Sequence, residues 1–320
     1  MADTPLIAVT DSAFRDNREE AAVARQAGYR LAVYQCADEA ALLREIPSDT
    51  AVLLNQFAPV TRTVIERLPH CRAIVRYGIG VDTIDRQACR EKGIAVCNVP
   101  DYGSVEVAEH ALSLALALAR RLPQMDGQVR AGRWLIEPDG PVSAFADLTF
   151  GTAGFGRIAR SLHERLGVLG FRRLAYDPFV GEAAYAEAGV QPVSRETLLA
   201  EADILSLHLP LTEDTRHLVD ATALEAMKPS AILINTARGG LIDTRALADA
   251  LSRGTVGAAG LDVFETEPLE PDHPIRSAPN CLLTSHNAWY STASQPRLQR
   301  LAAEEAVRAI RGEPLRSPVA

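Results

Sequence analysis

The stretch LTFGTAGFGRIARSL (148–162) places a glycine-rich turn between a predicted strand and a predicted helix. Its core has the pattern G-x-G-x-x-A and consists of Gly154, Phe155, Gly156, Arg157, Ile158 and Ala159. In this pattern the first glycine makes the tight turn, the second lets the backbone approach a pyrophosphate, and the small third residue lets helix and strand pack closely. The motif alone is weak, since glycines end many strands, but the next strand supports it.

An acid at the end of the next predicted strand strengthens the case for dinucleotide binding. Asp177 follows RLAY (173–176) and lies 18 residues after Ala159, near the spacing at which a carboxylate accepts hydrogen bonds from an adenine ribose. A carboxylate repels a 2′-phosphate, and Pro178 and Phe179 follow it where an arginine would favour NADP. The sequence therefore predicts NAD as the cofactor. Thr152 fits less well, because a fully buried strand favours aliphatic residues.

Short apolar runs alternate with helix-like segments along the chain. The first series of runs is LIAVT (6–10), LAVYQ (31–35), AVLLN (51–55), AIVRY (73–77) and IAVCN (94–98). The second is LTF (148–150), RLAY (173–176), DILSLH (203–208), AILINT (231–236), GAAGLD (257–262) and CLLTS (281–285). Such alternation is typical of parallel sheets covered by helices on both faces.

The length of 320 residues fits two domains of roughly 150 residues each. We predict an α/β fold in which residues 100–290 form a doubly wound, NAD-binding Rossmann domain. Residues 1–99 and 291–320 are expected to form a discontinuous, flavodoxin-like substrate-binding domain, because the amphipathic stretch 295–310 can cross back to the first domain. The substrate is expected in a cleft between the two domains.

A long apolar segment follows the first series. Residues 105–122 (VEVAEHALSLALALARRL) contain no Gly or Pro and carry apolar residues on nearly every face. A helix of this kind is buried, so we expect it between domains or between the subunits of a homodimer. Residues 123–134 lose this periodicity and are expected to form a connector.

Composition excludes several classes of protein. Hydrophobic residues make up 47% and charged residues 23%, which are ordinary globular fractions and argue against disorder. The five cysteines are scattered without a C-x-x-C pair, so we expect neither disulfides nor a metal site. The net charge of −8 is spread along the chain, which disfavours nucleic-acid and membrane partners. The absence of a signal-like or membrane-spanning run predicts a cytoplasmic location.

Three segments after strands of the second series supply an arginine, an acid and a histidine, namely Arg238, Glu267 and His286. Arginine can grip a carboxylate with two hydrogen bonds, histidine can exchange a hydroxyl proton near neutral pH, and an adjacent carboxylate favours the protonated imidazole. Hydride transfer between a nicotinamide and a 2-hydroxy acid needs these residue types. Each could also be structural: a surface arginine, a solvated turn acid, a core histidine. His208 is open to the same reading, and we expect it to form a wall of the cofactor pocket.

The sequence resembles the NAD-dependent D-2-hydroxyacid dehydrogenases over nearly its whole length. The segments that carry the resemblance are RYGIGVDTID (76–85), NVPDYGSVEVAEHAL (98–112), GFGRIAR (154–160), YDP (176–178), LHLPLTEDTRHL (207–218), INTARGGLID (234–243), GLDVFETEPL (260–269) and SHNAW (285–289). RYGIGVD, NVPDY and HNAWYS look most like the C-terminal-binding-protein branch. The implied activity is the oxidation of a D-2-hydroxy acid or the reduction of its 2-keto acid.

The resemblance also implies roles for individual residues. Catalysis falls to Arg238, Glu267 and His286, and a small-molecule carboxylate would be held by amides around Tyr77, Gly78 and Ile79. The nicotinamide side of the cofactor site would include Leu209, Pro210, Thr236, Ala237 and Asp262. Arg76 suits an anionic substrate. Because Trp289 lies three residues after His286, it is expected to line the pocket or its mouth, with an inter-domain contact as its alternative. The alternative functions are a D-3-phosphoglycerate dehydrogenase and an NAD-sensing, corepressor-like interaction protein.

Overall fold

The chain divides into two compact units, Met1–Gly103 with Ser291–Ala320, and Ser104–Tyr290. A computed structural model describes residues 4–136 and 142–319. The divisions fall at 103/104 and 290/291, compared with 99/100 and 290/291 expected from the sequence. Each unit is built on its own parallel sheet.

The first unit contains a five-stranded parallel sheet in the order β2-β1-β3-β4-β5. Its strands are β1 (Leu6–Val9), β2 (Arg30–Val33), β3 (Thr50–Asn55), β4 (Ala73–Arg76) and β5 (Ala95–Cys97). Its helices are α1 (Arg18–Ala27), α2 (Glu39–Glu45), α3 (Arg62–Glu66), α4 (Arg86–Lys92) and the C-terminal helix (Ser294–Arg311). The strand order is that of a flavodoxin-like sheet. The C-terminal helix packs on α1 and against β3 and β4.

The second unit contains a seven-stranded parallel sheet in the order β12-β11-β10-β9-β6-β7-β8. Its strands are β6 (Thr149–Ala153), β7 (Arg172–Tyr176), β8 (Gln191–Pro192), β9 (Ile204–Leu207), β10 (Ile232–Asn235), β11 (Ala258–Leu261) and β12 (Cys281–Leu283). This is the doubly wound dinucleotide-binding order extended by one strand. From β6 the chain first adds strands on one side of the sheet, and from β9 it adds them on the other side. Ligands of such sheets bind at the carboxyl ends of the strands beside this switch point.

Seven helices and three short 3₁₀ turns are described in the second unit. The helices are α5 (Ser104–Ala119), α6 (Leu122–Arg130), α7 (Arg157–Leu169), α8 (Glu182–Ala188), α9 (Arg195–Glu201), α10 (Ala221–Glu225) and α11 (Thr244–Arg253). The 3₁₀ turns are Phe145–Asp147, Gly239–Leu241 and Pro274–Ser277. No helix within 4–136 or 142–319 is long and apolar enough to cross a membrane.

The structure corrects the sequence-based prediction in two places. The strand β8 was not predicted, because it has only two residues. The connector expected over 123–134 is wrong for 123–130, which belongs to α6. Arg121 adopts a left-handed conformation (φ 52°) that ends α5, and a proline in the first turn of α6 favours a new helix start.

The apolar surface of α5 is largely covered inside its own unit. The helix packs on α7, β10 and β11, and only Val105, Glu109 and Ser113 along it are exposed. Its all-round apolar character is therefore explained mainly by packing within the second unit.

The five cysteines are free thiols removed from water to different degrees. Cys36, Cys71, Cys89 and Cys97 are buried in the first unit, and Cys281 is half-buried on β12. Burial raises the thiol pKa to about 11 for Cys36 and Cys89, and to about 12 for Cys71, Cys97 and Cys281. Among the described residues, no group of three His, Cys, Asp or Glu could hold a metal ion.

Candidate active site

The glycine-rich turn joins β6 to α7 at the carboxyl end of the second sheet. Gly154 has φ +96°, and a Cβ there would lie 2.5 Å from the carbonyl oxygen of His208. Both strain and close packing therefore require glycine at this position. Gly156 differs, because a Cβ there would meet no atom within 4 Å. The open space beside the Gly156 backbone, at the start of α7, suits a pyrophosphate.

The side chains around this turn divide into buried and accessible ones. Phe155 is fully buried and its ring stacks on Tyr185 at 4.5 Å, so only its backbone is available to a ligand. Arg157 is exposed at the first position of α7, and Ile158 beside it is half-buried. Pro178, two residues after β7, is exposed.

Asp177 is held against the glycine-rich turn. Its Oδ2 accepts a hydrogen bond from the Phe155 N–H (2.8 Å), and its Oδ1 accepts one from the Phe179 N–H (3.0 Å). The Tyr185 hydroxyl donates to the Asp177 carbonyl (3.0 Å). A half-buried carboxylate is therefore fixed at the end of β7, the position expected to meet an adenine ribose.

A buried histidine lies behind the turn and explains the polar residue in β6. Thr152 is fully buried, and its Oγ1 is 3.0 Å from His163 Nε2. Burial, aided by the charge of Arg173, lowers the pKa of His163 to about 3, so its ring is neutral. Thr152 therefore has the hydrogen-bond partner that a polar group in a buried strand requires.

The segment after β9 lies against the same turn. The His208 N–H donates to the Ala153 carbonyl (2.7 Å), and the Leu209 side chain approaches Gly154. His208 Nε2 is 2.9 Å from Ser206 Oγ, and burial lowers the pKa of His208 to about 4. A neutral, hydrogen-bonded ring suits a pocket wall better than a proton donor. Pro210 is exposed, and its carbonyl accepts from the Thr215 hydroxyl.

The segment after β10 is organised by Asn235, which the sequence analysis did not single out. Its Oδ1 accepts from the Ala237 N–H (3.0 Å), and its Nδ2 donates to the Arg238 carbonyl (2.9 Å). The sequence signal that could have identified Asn235 was an amide side chain at the end of an apolar strand. The buried Thr236 hydroxyl has no hydrogen-bond partner within the described chain, so it can serve a ligand.

His286 and Glu267 are in direct contact. His286 Nδ1 lies 2.6 Å from Glu267 Oε2, and each side chain is about one third exposed (32% and 33%). Glu267 Oε1 accepts from the Phe264 N–H (3.0 Å). A carboxylate can only accept, so Nδ1 of His286 carries a proton and Nε2 is the nitrogen available to a substrate.

The charge balance keeps Glu267 ionised. Partial burial raises its pKa, but the hydrogen bond and charge of His286, the Phe264 amide and the charge of Arg238 outweigh it, so the pKa lies below the ordinary value. Arg238 donates to the Ala237 carbonyl (2.6 Å). Gly239 brings the Arg238 loop close to the Glu267 loop, because a Cβ there would overlap the Phe264 carbonyl.

Asp262 and Trp289 hold the loop that carries His286. The Asp262 carboxylate is 1% exposed and accepts from the Thr284 hydroxyl (2.5 Å) and the N–H groups of Asn287 (3.0 Å) and Ala288 (2.9 Å). The half-buried Trp289 donates its indole N–H to the His286 carbonyl (3.0 Å). The contact of Asp262 with the nicotinamide stays a prediction, but its carboxylate already has a structural task.

The candidate carboxylate-binding loop lies in the first unit, after β4. One of the amides expected to bind a ligand, that of Tyr77, is already hydrogen-bonded within the sheet. The Tyr77 N–H donates to the Asn55 carbonyl (2.7 Å), because the β3–β4 ladder continues through it. Within the described chain, the Gly78 and Ile79 N–H groups have no acceptor, so two of the three expected amides remain for a ligand. Arg76 donates to the Tyr77 carbonyl, and its guanidinium lies 5.9 Å from the Phe57 ring.

A family comparison identifies the second unit. Residues 112–288, more than half of the chain, match the model of the D-isomer specific 2-hydroxyacid dehydrogenase, NAD binding domain. The chain belongs to this family. The predictions of the family, of an α/β fold with a Rossmann domain and of NAD as cofactor are confirmed. The C-terminal-binding-protein branch stays a prediction.

Curated members of the 2-hydroxyacid dehydrogenase family show what the chain is similar to. It is 37% identical to the D-3-phosphoglycerate dehydrogenase of Archaeoglobus fulgidus over 278 residues, which cover 87% of the chain and 53% of that protein. It is 39% identical to the (S)-sulfolactate dehydrogenase of Chromohalobacter salexigens over 279 residues, which cover 85% of the chain and 88% of that protein. The chain spans about half the length of the D-3-phosphoglycerate dehydrogenases that it matches.

Solved structures agree with the family assignment. The TT0316 protein from Thermus thermophilus matches with a TM-score of 0.87 and 32% identity, covering 98% of this chain and 100% of that one. The D-lactate dehydrogenase from Aquifex aeolicus, solved with NAD and lactic acid, matches with a TM-score of 0.84 and 27% identity, covering 96% of each chain.

The residues in this unit fit NAD. The open side of Gly156 can accommodate a pyrophosphate, and Asp177 provides acceptors for ribose hydroxyls. The Thr236 hydroxyl, which has no hydrogen-bond partner among the described residues, can bind a polar group of the cofactor. When bound, NAD supplies the nicotinamide carbon that accepts or returns a hydride.

Proposed function

We propose that the protein interconverts a D-2-hydroxy acid and its 2-keto acid with NAD, and that His286 is the general acid and base. The 2.6 Å contact between His286 Nδ1 and Glu267 Oε2 carries this proposal. It fixes the tautomer of the ring, leaves Nε2 available and places a negative charge beside a histidine that must become positive.

Each side chain of the trio has a defined task in the reaction. In reduction, protonated His286 gives its Nε2 proton to the carbonyl oxygen of the carbon that receives the hydride; in oxidation the same nitrogen takes the hydroxyl proton. Glu267 stabilises the imidazolium that precedes or follows this transfer. Arg238 binds the substrate carboxylate and polarises the adjacent carbonyl, and the Gly78 and Ile79 N–H groups offer two further donors to the carboxylate.

A panel of 2-keto acids with NADH tests this function. We expect turnover by the wild-type protein, and a kcat lower by roughly 10²–10⁴ for His286→Ala, the usual contribution of a general acid–base residue. His70→Ala is the matched control, because this histidine is exposed in the first unit. Tight NADH binding without turnover of any keto acid would instead favour the interaction-protein alternative.

We infer that the preferred substrate has an apolar or small side chain and no phosphate. Trp289 lies three residues after His286, and its indole is tied to the His286 carbonyl, so its large apolar ring belongs to the catalytic loop. Such a surface suits an apolar tail and suits a phosphate poorly. The likeness to D-3-phosphoglycerate dehydrogenases favours the opposite assignment.

The same panel separates these substrate classes when it includes pyruvate-like, branched, thioether, aromatic and phosphorylated keto acids. Trp289→Phe is the variant of choice, because it removes the indole N–H but keeps an aromatic ring. We expect a changed order of KM values among the keto acids and an unchanged KM for NADH. A wild-type preference for 3-phosphohydroxypyruvate would make the phosphoglycerate assignment the correct one, and an unchanged order would place Trp289 outside the pocket.

A further inference from the structure

The first unit contains a fully buried carboxylate, Glu20, on α1. Its Oε1 accepts hydrogen bonds from the Tyr77 hydroxyl (2.7 Å) and from the Asn17 side-chain amide (3.0 Å). Its Oε2 accepts from Gln299 Nε2 (3.1 Å) on the C-terminal helix. Removing a carboxylate from water is costly unless several donors replace the water, and these neutral donors do so.

Tyr77 connects this buried carboxylate to the loop after β4. Its side chain is 1% exposed, and its ring packs edge-to-face on Phe14 at 5.1 Å. Burial and the neighbouring Glu20 raise the pKa of Tyr77 well above its ordinary value, so the hydroxyl stays a donor. Because the phenol is enclosed by protein, a ligand of the loop does not touch it.

The backbone of the same residue begins the loop that offers two unused N–H groups. Gly78 and Ile79 follow Tyr77 directly, and the Gly78 carbonyl accepts from the Val99 N–H (2.9 Å). Gly78 has φ +127°, a conformation open to glycine and strained for other residues, so the loop gets no rigidity from its own backbone preferences. The buried Tyr77 side chain, through its hydrogen bond to Glu20, anchors the start of this loop.

The C-terminal helix completes the anchor. Gln299 is 3% exposed, and its Nε2 also donates to the Asp16 carbonyl (2.6 Å) in the segment that leads into α1. One side-chain amide thus joins the C-terminal helix, the start of α1 and the Glu20 carboxylate. The position of Tyr77 is therefore set by segments that are far from the loop in sequence.

We propose that Glu20, Tyr77 and Gln299 form a positioning network that fixes the Gly78 and Ile79 N–H groups for the carboxylate of the substrate. This inference rests on the proposed function, in which these two amides bind a 2-keto acid. The three residues act through the loop backbone and touch no reacting atom. Cutting the network leaves the chemistry intact and weakens substrate binding.

Two variants cut the network and a third serves as its control. Tyr77→Phe removes only the hydroxyl, and Glu20→Gln removes the charge at nearly constant volume. Glu305→Gln makes the same change at another buried glutamate of this unit (2% exposed), which accepts from the Arg316 N–H (2.7 Å) near the chain end. We expect the KM for the keto acid to rise roughly tenfold in both network variants, about the loss of one hydrogen bond to a charged group. We expect kcat to change less than about twofold and the KM for NADH to stay constant.

The double variant Tyr77→Phe/Glu20→Gln tests whether the two residues act together. Because both changes break the same contact, the KM of the double variant should equal that of the weaker-binding single variant instead of the product of the two effects. Equal KM values for the wild type, Tyr77→Phe and Glu305→Gln would overturn the proposal, even if Glu20→Gln fails to fold.

Amide hydrogen exchange in the ligand-free protein gives a readout that does not depend on turnover. The Tyr77 N–H bonds to the Asn55 carbonyl where the loop begins, and the Val99 N–H bonds to the Gly78 carbonyl within the loop. Exchange of both amides should accelerate at least about fivefold in Tyr77→Phe, while the N–H groups within β1 and β3 stay protected. Unchanged exchange at both amides would contradict the network. Failure of the wild type to reduce any keto acid would refute the proposed function and leave this exchange test in force.

Discussion

At the scale of single residues, the site depends on His286 in an unusual backbone conformation. Its φ of +53° is left-handed, which for a residue with a side chain costs free energy that surrounding contacts must offset. Those contacts are its own N–H to the Asp262 carbonyl (2.7 Å) and the Trp289 indole to its carbonyl (3.0 Å). The imidazole orientation is thus fixed by the backbone as well as by Glu267.

Replacing Glu267 by Gln should change the pH range of the reaction. The carboxylate is ionised across the assay range, because its pKa is lowered, and it stabilises protonated His286. Without this charge the protonated form of the histidine loses a stabilising partner. Keto-acid reduction should therefore lose rate at a lower pH than in the wild type, and hydroxy-acid oxidation should gain rate at a lower pH. Profiles of kcat/KM in both directions measure this, with the exposed Glu270→Gln as control. If the pH profiles of Glu267→Gln and the wild type coincide, Glu267 has no role in catalysis.

Replacing Asp177 by Asn should narrow the preference for NADH over NADPH. The amide oxygen can still accept from one of the two backbone N–H groups that Asp177 binds, and the other loses its acceptor. The substitution also removes the charge that repels a 2′-phosphate. We expect the kcat/KM ratio of the two cofactors to fall by roughly tenfold, mainly through better use of NADPH. A wild-type protein that uses both cofactors equally would refute the role of Asp177.

At the scale of elements, β6 and α7 are joined by more than the glycine-rich turn. The buried contact between Thr152 and His163 joins the strand to the second turn of the helix, and burial keeps the histidine neutral. Its pKa of about 3 in the folded protein lies below the ordinary value of 6.5. Between about pH 3 and pH 6.5 the unfolded chain therefore binds a proton at this histidine that the folded chain excludes.

Acid should thus weaken the fold partly through His163. Its contribution is fully present above about pH 6.5 and is lost as the pH falls toward 3, with a slope of at most about 1.4 kcal/mol per pH unit for one proton. His163→Gln should flatten the fall of the urea midpoint between about pH 7 and pH 4.5, whatever its effect on stability at neutral pH. Burial also lowers the pKa of His208, to about 4, so part of the pH dependence of stability should remain in His163→Gln. His70→Gln, a change at an exposed histidine, should show the same fall of the urea midpoint as the wild type. If the midpoint of His163→Gln falls as steeply as that of the wild type, the role given to His163 is wrong.

The elements also show how far sequence patterns lead. The long apolar strands and the glycine-rich turn were predictable, because local periodicity and a local turn determine them. The hydrogen bond from the Ala288 N–H to the Asp262 carboxylate was not predictable. It joins residues 26 positions apart and depends on which loops the sheet brings together. The use of the Tyr77 N–H by Asn55 was hidden for the same reason, since it requires the register of β3 and β4. Arg238, Glu267 and His286 were selected for the chemistry of their side chains, and the structure brings His286 and Glu267 into contact. Their catalytic roles stay predictions.

At the scale of the whole molecule, several large apolar side chains within residues 122–136 of the second unit are exposed. Leu122 and Val129 on α6 are each 54% exposed, and Trp134 and Ile136 shortly after it are 85% and 88% exposed. Exposed apolar residues that form one patch are typical of protein–protein contacts. We propose that this surface, and to a lesser degree α5, forms the homodimer expected from the sequence.

Charged substitutions on this surface should dissociate the dimer. Trp134→Glu combined with Ile136→Glu should shift the sedimentation coefficient from that of a dimer to that of the 34.5 kDa chain. Val168→Glu is the matched control, because Val168 is 87% exposed on another helix, α7. A monomeric wild type, or a dimer that survives both substitutions, would show that these side chains serve another purpose.

The raised pKa values of the five thiols make each cysteine a reporter of its own unit. In the folded protein these groups are protonated at neutral pH, so a maleimide or iodoacetamide reacts with them slowly. Unfolding releases four thiols from the first unit and one, Cys281, from the second. Pulsed alkylation followed by intact mass measurement would therefore resolve additions of four and of one, and would time the opening of the two units separately in a chain with no added probe.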